Sequence, residues 1–556
     1  MSFEKTARAA TAIDELAESY VAQSLELSPG LVTVTGLPGA SETQFDDYSP
    51  AGLAAQAELD QHTLQQLETL TPQDETDRIT VAAMQERLGL AQELYQAAEF
   101  GELNVIATPL QEVQQLFDLM PQESNADWRT IAARLQAVPQ ALASWRETLT
   151  LRAQSGPDTA RRQVLLCAEQ ADNCAGKSSP FIDLAERGTA AFSELGTELA
   201  DGVAAARQAY GELAEFLRTE ILPQAVESDA FGRERYERRI RQFVGAKVDL
   251  DETYEWGLTE LARIRAEQQE IAHELYGAGV SVAEAMERLN QDPQRTIHGT
   301  ENLQRWMQET SDQAIAALQG SHFDIPAPLQ KLECMIAPSA TGAIYYTGPS
   351  DDFSRPGRMW WSVPEGTETF ATWQEKTTVF HEGVPGHHLQ LGMTTYLREQ
   401  LNTWRRQLCW VSGHGEGWAL YAESLMAELG YQEDPGDYMG VLDSEQLRTA
   451  RVALDIGVHL QKETPAEFRE ISPTWTRDVA WEFLRSNLAM DSSFLEFELN
   501  RYLGWAGQAP SYKIGQRIWR QLRAEAEARP NFNLKDWHMK ALSIGSVGLD
   551  VLRAAL

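Results

Sequence analysis

A helical spacing of apolar residues runs through the first 320 residues and limits what this chain can fold into. Segments such as RITVAAMQERLGLAQELYQAAEF, which begins at Arg78, place apolar side chains at intervals of three and four residues. They are rich in Ala, Leu, Glu, Gln and Arg, which favour helices. Short turns with Pro and Gly separate the segments, and they follow no repeat of fixed period. Residues 1–320 are therefore predicted to form a helical N-terminal region.

Residues 331–370 break this pattern. They hold Tyr, Trp, Ile and Val between Gly and Pro turns, which predicts a small sheet or a set of hairpins. The helical spacing then returns and continues to the C-terminus. We therefore expect a mainly α fold, with a second region at 321–556 that carries the small β section. A chain of 556 residues is long enough to enclose a deep cleft.

The charge of the chain restricts its partners. The formal net charge is −35, from 47 Lys and Arg against 82 Asp and Glu. Such a field repels phosphate backbones and anionic lipid headgroups, so we expect neither nucleic acid nor a membrane as a partner. The first 25 residues contain acidic side chains where a signal peptide needs an unbroken apolar core, and no stretch reaches the ~18 apolar residues of a spanning helix. A cytoplasmic location is the expectation.

The stretch HEGVPGHH, which begins at His381, is close to the H-E-x-x-H motif of zinc proteases but has Pro385 where the second histidine belongs. On an unbroken helix His381 and His388 would lie about 10.5 Å apart, too far for two zinc–nitrogen bonds of about 2.0–2.1 Å. Pro385 has no N–H to donate and glycines flank it, so the helix must open. An opening of two residues would bring His387 to the second ligand position and leave Glu382 as general base. The alternative is a helix end that carries histidines without a metal.

Two glutamates downstream suit the remaining roles of a metal site. Glu416 and Glu423 lie seven residues apart in SGHGEGWALYAESL, on the same face of a helix. One could be a third ligand, and the other could orient a ligand histidine through its second nitrogen. Glutamates seven residues apart are also common on solvated helices, so this spacing indicates a metal site only together with the histidines. Five of the ten histidines fall between residues 381 and 459, which favours metal binding or acid–base chemistry.

Two later segments offer polar groups to a substrate. Arg451, Asp455 and His459 recur every four residues in the otherwise apolar LRTARVALDIGVHL. A buried Arg–Asp pair between helices explains them as well as a substrate contact does, and His459 is the strongest candidate for such a contact. Further on, Arg501 and Tyr512 lie where a loop with Gly and Pro enters a helix. The Tyr512 hydroxyl could stabilise an oxyanion or only pack, and Arg451 or Arg501 could bind a substrate carboxylate.

Four motifs together carry a family resemblance: HEGVPGHHLQ, GEGWALYAE, ARVALDIGVH and GQAPSYKIG. In this order they resemble the bacterial domain-of-unknown-function 885 family, whose pattern reads H-E-x-x-P-G-H-x-x-Q and then E-G-W-A-x-Y-x-E. The resemblance spans most of the chain and is densest in its C-terminal half. That family is similar in turn to the mainly helical zinc peptidases of the thimet-oligopeptidase and thermostable-carboxypeptidase kind.

The resemblance implies a large helical zincin-like metallopeptidase fold with a deep cleft, in which residues 1–320 form one wall and the β section precedes the active-site helix. It implies one Zn²⁺ per chain. The implied roles are zinc ligation by His381, His387 and Glu416, general base catalysis by Glu382, orientation of a ligand by Glu423, and oxyanion or substrate contacts from Tyr512 and His459. His388 falls at a position that the family pattern leaves open and is the weaker candidate ligand.

The expected function is that of a zinc-dependent hydrolase, first of all a metallopeptidase that cleaves short peptides in a deep cleft. Two alternatives stay open. One keeps the metal and changes the substrate to a non-peptide amide or ester. The other is a helical binding protein whose metal site no longer works. A site of two histidines and one glutamate also suits cobalt or manganese.

Overall fold

The computed structural model describes residues 7–337 and 344–556 and confirms a mainly α fold. Its first helix begins at a capping box, in which the Thr11 hydroxyl accepts from the Asp14 N–H and the Asp14 carboxylate accepts from the Thr11 N–H. The helices before the β section are α1 (Ala12–Leu27), α2 (Pro29–Thr35), α3 (Pro50–Leu67), α4 (Glu75–Gln96), α5 (Pro109–Leu119), α6 (Asn125–Ser155), α7 (Arg161–Ala175), α8 (Pro180–Ala191), α9 (Gly196–Phe216), α10 (Arg233–Val244), α11 (Leu250–Tyr276), α12 (Val282–Asn290) and α13 (Thr300–Leu318).

In the part of the chain that the structure describes, the strands form two small sheets. They are β1 (Thr296–His298), β2 (Leu332–Ile336), β3 (Ile344–Thr347), β4 (Gly357–Trp361) and β5 (Thr369–Ala371). In the order β2-β4-β3, strand β4 runs parallel to β2 and antiparallel to β3. The predicted small sheet is thus confirmed, although residues 338–343 of that section lie outside the described part. Strand β5 pairs with β1, which precedes the predicted β section.

Helices follow to the end of the chain. They are α14 (Thr372–Glu382), α15 (His387–Tyr396), α16 (Ser412–Glu428), α17 (Pro435–His459), α18 (Arg477–Asn487), α19 (Ser492–Gly504), α20 (Ser511–Glu527), α21 (Leu534–Ile544) and α22 (Leu549–Ala555). None of the helices in the described ranges is long and apolar enough to cross a membrane.

The buried apolar residues fall into two large groups. The buried members of one group lie within residues 103–221, most of them on helices α5 to α9. The other joins residues 17–88 to residues 236–552, so that the first helices share a core with the last. The division predicted at residue 320 therefore does not coincide with a boundary between these cores.

Three helix contacts bring the motif segments of the C-terminal half together. Helix α14 packs against α16 and α17, and α16 packs along α20. The approach of α16 to α20 is close because glycines face each other: a Cβ on Gly417 would lie 2.5 Å from the carbonyl carbon of Gly515. Side chains from all four helices can therefore reach one cavity.

Candidate metal centre

The motif HEGVPGH does open between two helices. Helix α14 ends at Glu382 and α15 begins at His387, so the two histidines stand on adjacent helix ends. The joint requires glycine at Gly386, where a Cβ would lie 1.9 Å from the carbonyl oxygen of His381. The Trp418 indole on α16 donates to the carbonyl of Pro385 at 2.8 Å and ties the joint to the next helix.

Three donor atoms converge beside this joint. The Nε2 atoms of His381 and His387 each lie 3.4 Å from the same carboxylate oxygen, Oε2 of Glu416. Ligands about 2.0–2.1 Å from a tetrahedral centre are separated by about 3.3–3.4 Å, so these separations suit one zinc ion. Two imidazole nitrogens and one carboxylate are also a common zinc donor set. The residues predicted as ligands therefore fit the metal.

Glu423 orients one of the candidate ligands. Its carboxylate is 1% exposed and accepts from His381 Nδ1 at 2.7 Å. The hydroxyls of Thr377 and Ser444 donate to its other oxygen at 2.6 and 2.8 Å. With its Nδ1 proton held in this way, a neutral His381 directs the lone pair of Nε2 towards Glu416. A lone pair facing a carboxylate oxygen needs a proton or a cation between them.

The pKa values of this cluster follow from the same contacts. Burial lowers the pKa of His381, but the bonds to Glu416 and Glu423 outweigh burial and raise it to about 10. Burial raises the pKa of Glu416, and the charges of His387 and His381 reverse this and hold it well below its usual range. Without a metal the cluster thus retains protons where a bound cation would replace them.

Glu382 and Tyr512 border the cluster. Glu382 is 6% exposed, and a carboxylate oxygen of it lies within 4.8 Å of the ligand atoms of His381 and His387. Its Oε2 is buried and has no hydrogen-bond partner among the described residues, and burial raises the pKa of this carboxyl. Burial, together with the charge of Glu416, raises the pKa of Tyr512 to about 12 and keeps its hydroxyl protonated.

These groups share one cavity of about 520 Å³, a volume typical of small-ligand sites. Trp410, which is 47% exposed, borders it beside His387. Among the described residues it is lined by Ile344, Tyr345, Tyr346, Thr378, His381, Glu382, His387, Leu391, Trp410, Glu416, Arg448, Arg451 and Tyr512. The expected wall from residues 1–320 is thus not part of this lining, because α14, α15, α16, α17, α20 and strand β3 enclose the cavity.

Two predicted substrate or catalytic residues lie elsewhere. His459 is fully buried between the rings of Phe231 and Tyr236, and its Nε2 donates to the carbonyl of Tyr502 at 3.0 Å. Its predicted catalytic role is therefore not supported by its position. Arg501 does not line the cavity either, because it donates to Glu498 and to Gln508 at 3.0 and 2.6 Å.

His388 and Arg451 also form hydrogen bonds with neighbouring residues inside the fold. His388 is fully buried, and its two ring nitrogens contact the carbonyl of Leu329 at 2.9 Å and the Tyr346 hydroxyl at 3.0 Å. It therefore has no free nitrogen for a metal, and His387 is the ligand candidate. Arg451 does line the cavity, but its guanidinium is bound to Glu498 at 2.8 Å.

The sequence did not single out several residues of the site. Thr377 precedes His381 by one helical turn, a spacing that could have indicated a shared partner. Ser444 and Arg448 stand on α17 at the same spacing; the sequence places Arg448 in one polar cluster with Arg451 and His459 but assigns it no role. Trp410 belongs to none of the sequence motifs, so its position beside the cavity is seen only in the structure.

Comparison with protein families gives one match. Residues 29–556 match the family described as "Bacterial protein of unknown function (DUF885)". The chain belongs to this family. No curated protein matches the chain.

Among the solved structures that resemble the fold of this DUF885 chain are two bacterial proteins. One is described as "the putative lipoprotein from Colwellia psychrerythraea", with 22% identity, a TM-score of 0.82, and coverage of 98% of this chain and 99% of that one. The other is "a putative lipoprotein of unknown function from Shewanella oneidensis", with 16% identity, a TM-score of 0.75 and the same coverage. At these identities the likeness extends to the fold alone.

Proposed function

We propose that this DUF885 protein is a zinc-dependent hydrolase, and most specifically a metallopeptidase that cleaves short peptides. The observation that carries the proposal is the position of one Glu416 oxygen 3.4 Å from the Nε2 atoms of both His381 and His387. Beside these atoms Glu382 keeps a buried carboxylate oxygen without a partner in the described structure. Ligands and a general base are thus present in one cavity.

Each residue of the candidate site has a separate task in the proposed reaction. When bound, zinc would supply a Lewis acid that polarises the scissile carbonyl and lowers the pKa of a water. Glu382 accepts the proton of that water at its unpartnered Oε2 and returns it to the leaving amine. The phenolic O–H of Tyr512 donates a hydrogen bond to the developing oxyanion. Glu423 holds the Nδ1 proton of His381 and so keeps Nε2 available for the metal.

The cavity supports a small substrate. A volume of about 520 Å³ takes a few residues of a peptide and excludes a folded domain. Strand β3 and the exposed Trp410 ring border it, which gives both main-chain groups and an aromatic face to an extended chain. Similarity to the helical zinc peptidases, a cytoplasmic location and the exclusion of nucleic acid and membrane partners stay predictions.

The test joins metal analysis to hydrolysis. Purified wild type and Glu382→Gln are analysed for zinc by mass spectrometry and then incubated with a mixture of short peptides, whose products are identified by mass. We expect about one zinc per chain in both proteins and a loss of about 10²- to 10⁴-fold in hydrolysis for the variant. Glu428→Gln, an exposed change on α16, is the matched control and retains activity.

The alternatives give different results. A zinc-loaded wild type that leaves every peptide intact but hydrolyses other amides or esters would replace the peptidase with a hydrolase of non-peptide substrates. A wild type that holds no zinc even after incubation with the ion would refute the proposal and favour a binding protein.

A further inference from the structure

Arg448 lies in the cavity and forms no ion pair with a carboxylate of the described residues. It lines the same cavity as His381 and Glu416. Its Nη1 donates to the carbonyl and the hydroxyl of Ser444, at 3.3 and 2.8 Å, and both acceptors are neutral. Its Nε is buried and has no hydrogen-bond partner within the described ranges. Within residues 7–337 and 344–556, no carboxylate therefore contacts this guanidinium directly.

The two other arginines near this site, Arg451 and Arg501, do have a carboxylate partner. Arg451 donates to Glu498 at 2.8 Å, and Arg501 donates to the same carboxylate at 3.0 Å. Burial raises the pKa of Glu498, but the charges of the two arginines outweigh burial and lower the pKa to about 2. Glu498 therefore stays ionised and occupies both guanidinium groups. Arg448 is the cavity arginine that keeps donor groups for a ligand.

The position of Arg448 restricts where such a ligand binds. Ser444, which accepts from Arg448, donates to Glu423, and Glu423 in turn holds His381. Two hydrogen-bonded side chains thus separate the guanidinium from a candidate zinc ligand. An anion on Arg448 would lie next to the reacting carbonyl rather than at the far end of a long substrate.

Building on the function proposed above, we propose that the substrate carries a carboxylate next to its scissile bond and that Arg448 binds this carboxylate. The planar guanidinium fork is suited to a carboxylate, and partial burial strengthens the contact. The carboxylate could be the free C-terminus of a peptide or an acidic side chain beside the cleaved bond. In both cases an anion on the substrate provides the direct ion-pair partner that Arg448 lacks among the described residues.

The experiment measures binding, so that it does not depend on turnover. Zinc-loaded Glu382→Gln is titrated by calorimetry with acetyl-Ala-Ala-Ala as the free acid and as the C-terminal amide. A second pair, acetyl-Ala-Glu-Ala-amide and acetyl-Ala-Gln-Ala-amide, tests the side-chain source. The same titrations are made with Arg448→Met added and, as a matched control, with Arg485→Met, which removes a half-exposed cation on α18 outside the cavity.

We expect one acidic probe to bind about 10- to 100-fold more tightly than its amide in the parent and in the Arg485 control. Addition of Arg448→Met should reduce this ratio to about threefold or less, with zinc content unchanged. The pair that shows the preference identifies the source of the carboxylate. Should Arg448→Met fail to fold, Arg448→Lys retains the charge but loses the fork, and the ratio should still fall.

Two results would overturn the inference: equal binding of acid and amide in both pairs, and a preference that persists in the Arg448 variants. Failure of the proposed function gives a different result, since zinc-loaded wild type would then bind the acidic probe without cleaving any peptide. Cleavage of acid and amide at equal efficiency would retain the peptidase and reject the role of Arg448.

Discussion

Replacement of Glu423 by glutamine tests the candidate metal centre through a residue that does not contact the metal. Glu423 accepts from His381 Nδ1 at 2.7 Å and from Thr377 and Ser444 at 2.6 and 2.8 Å, and it is 1% exposed. Glutamine has nearly the same shape but no charge. Its NH₂ group would face the hydroxyls of Thr377 and Ser444, which would have to rotate so that they accept hydrogen bonds instead of donating them. A hydrogen bond to a charged group is worth about 1.5–3 kcal/mol and a neutral one about 0.5–1.5, so the change removes about 1–2 kcal/mol.

This loss corresponds to a zinc dissociation constant about 5- to 30-fold larger in Glu423→Gln. Competition with a coloured chelator measures this dissociation constant. Glu428→Gln on the same helix removes an exposed carboxylate paired with Arg523, and it should leave the constant unchanged within about threefold. Equal zinc affinity in wild type and Glu423→Gln would refute the orientation of His381 by this carboxylate, and so would an equal loss in both variants.

Three further predictions follow from the same cavity and its surroundings. His387→Ala should lose zinc, whereas His388→Ala should keep it, and metal analysis of the two variants would contradict the ligand assignment if the losses were reversed. Tyr512→Phe should lower kcat by about 10²- to 10³-fold with little change in KM; an unaltered kcat would exclude oxyanion stabilisation. Burial raises the pKa of Glu445, but Lys513 and Arg520 outweigh it and lower the pKa from 4.5 to about 2. Because this folded-state pKa is depressed, its stabilisation is present above about pH 4.5 and disappears as the pH falls towards 2, so the stability gap between wild type and Glu445→Gln should shrink by up to about 3 kcal/mol over that range. Thermal unfolding at several pH values measures this gap, and a gap independent of pH would be inconsistent with an ionised Glu445.

The sequence predicts the helical fold and the opening of the motif because both depend on local physics. Apolar spacing determines helices, and Pro385 between two glycines cannot continue one. The spacing of Glu416 and Glu423 likewise places them on one helical face, whatever the rest of the chain does.

The sequence predicts less well what a buried polar side chain contacts. Arg451 and His459 stand on one apolar helix, but their partners, Glu498 and the carbonyl of Tyr502, belong to α19. No local pattern tells whether such a group faces a cavity or a neighbouring helix. The three-residue strand β1 is too short for any pattern at all.

The two cores described above affect how the chain folds during its synthesis. Residues 103–221 contain all the fully buried apolar residues of their own core, with Phe45 and Tyr48 packed against it from outside, so most of this core can form before the rest of the chain is synthesised. The first helices cannot, because α4 packs against α10 and against α22 at the very end of the chain. Asp14 on α1 likewise accepts from Asn402 at 3.0 Å. The apolar faces of the first helices are therefore covered only after the helices near residue 550 have been synthesised. A shorter nascent chain would expose these faces to chaperones and proteases.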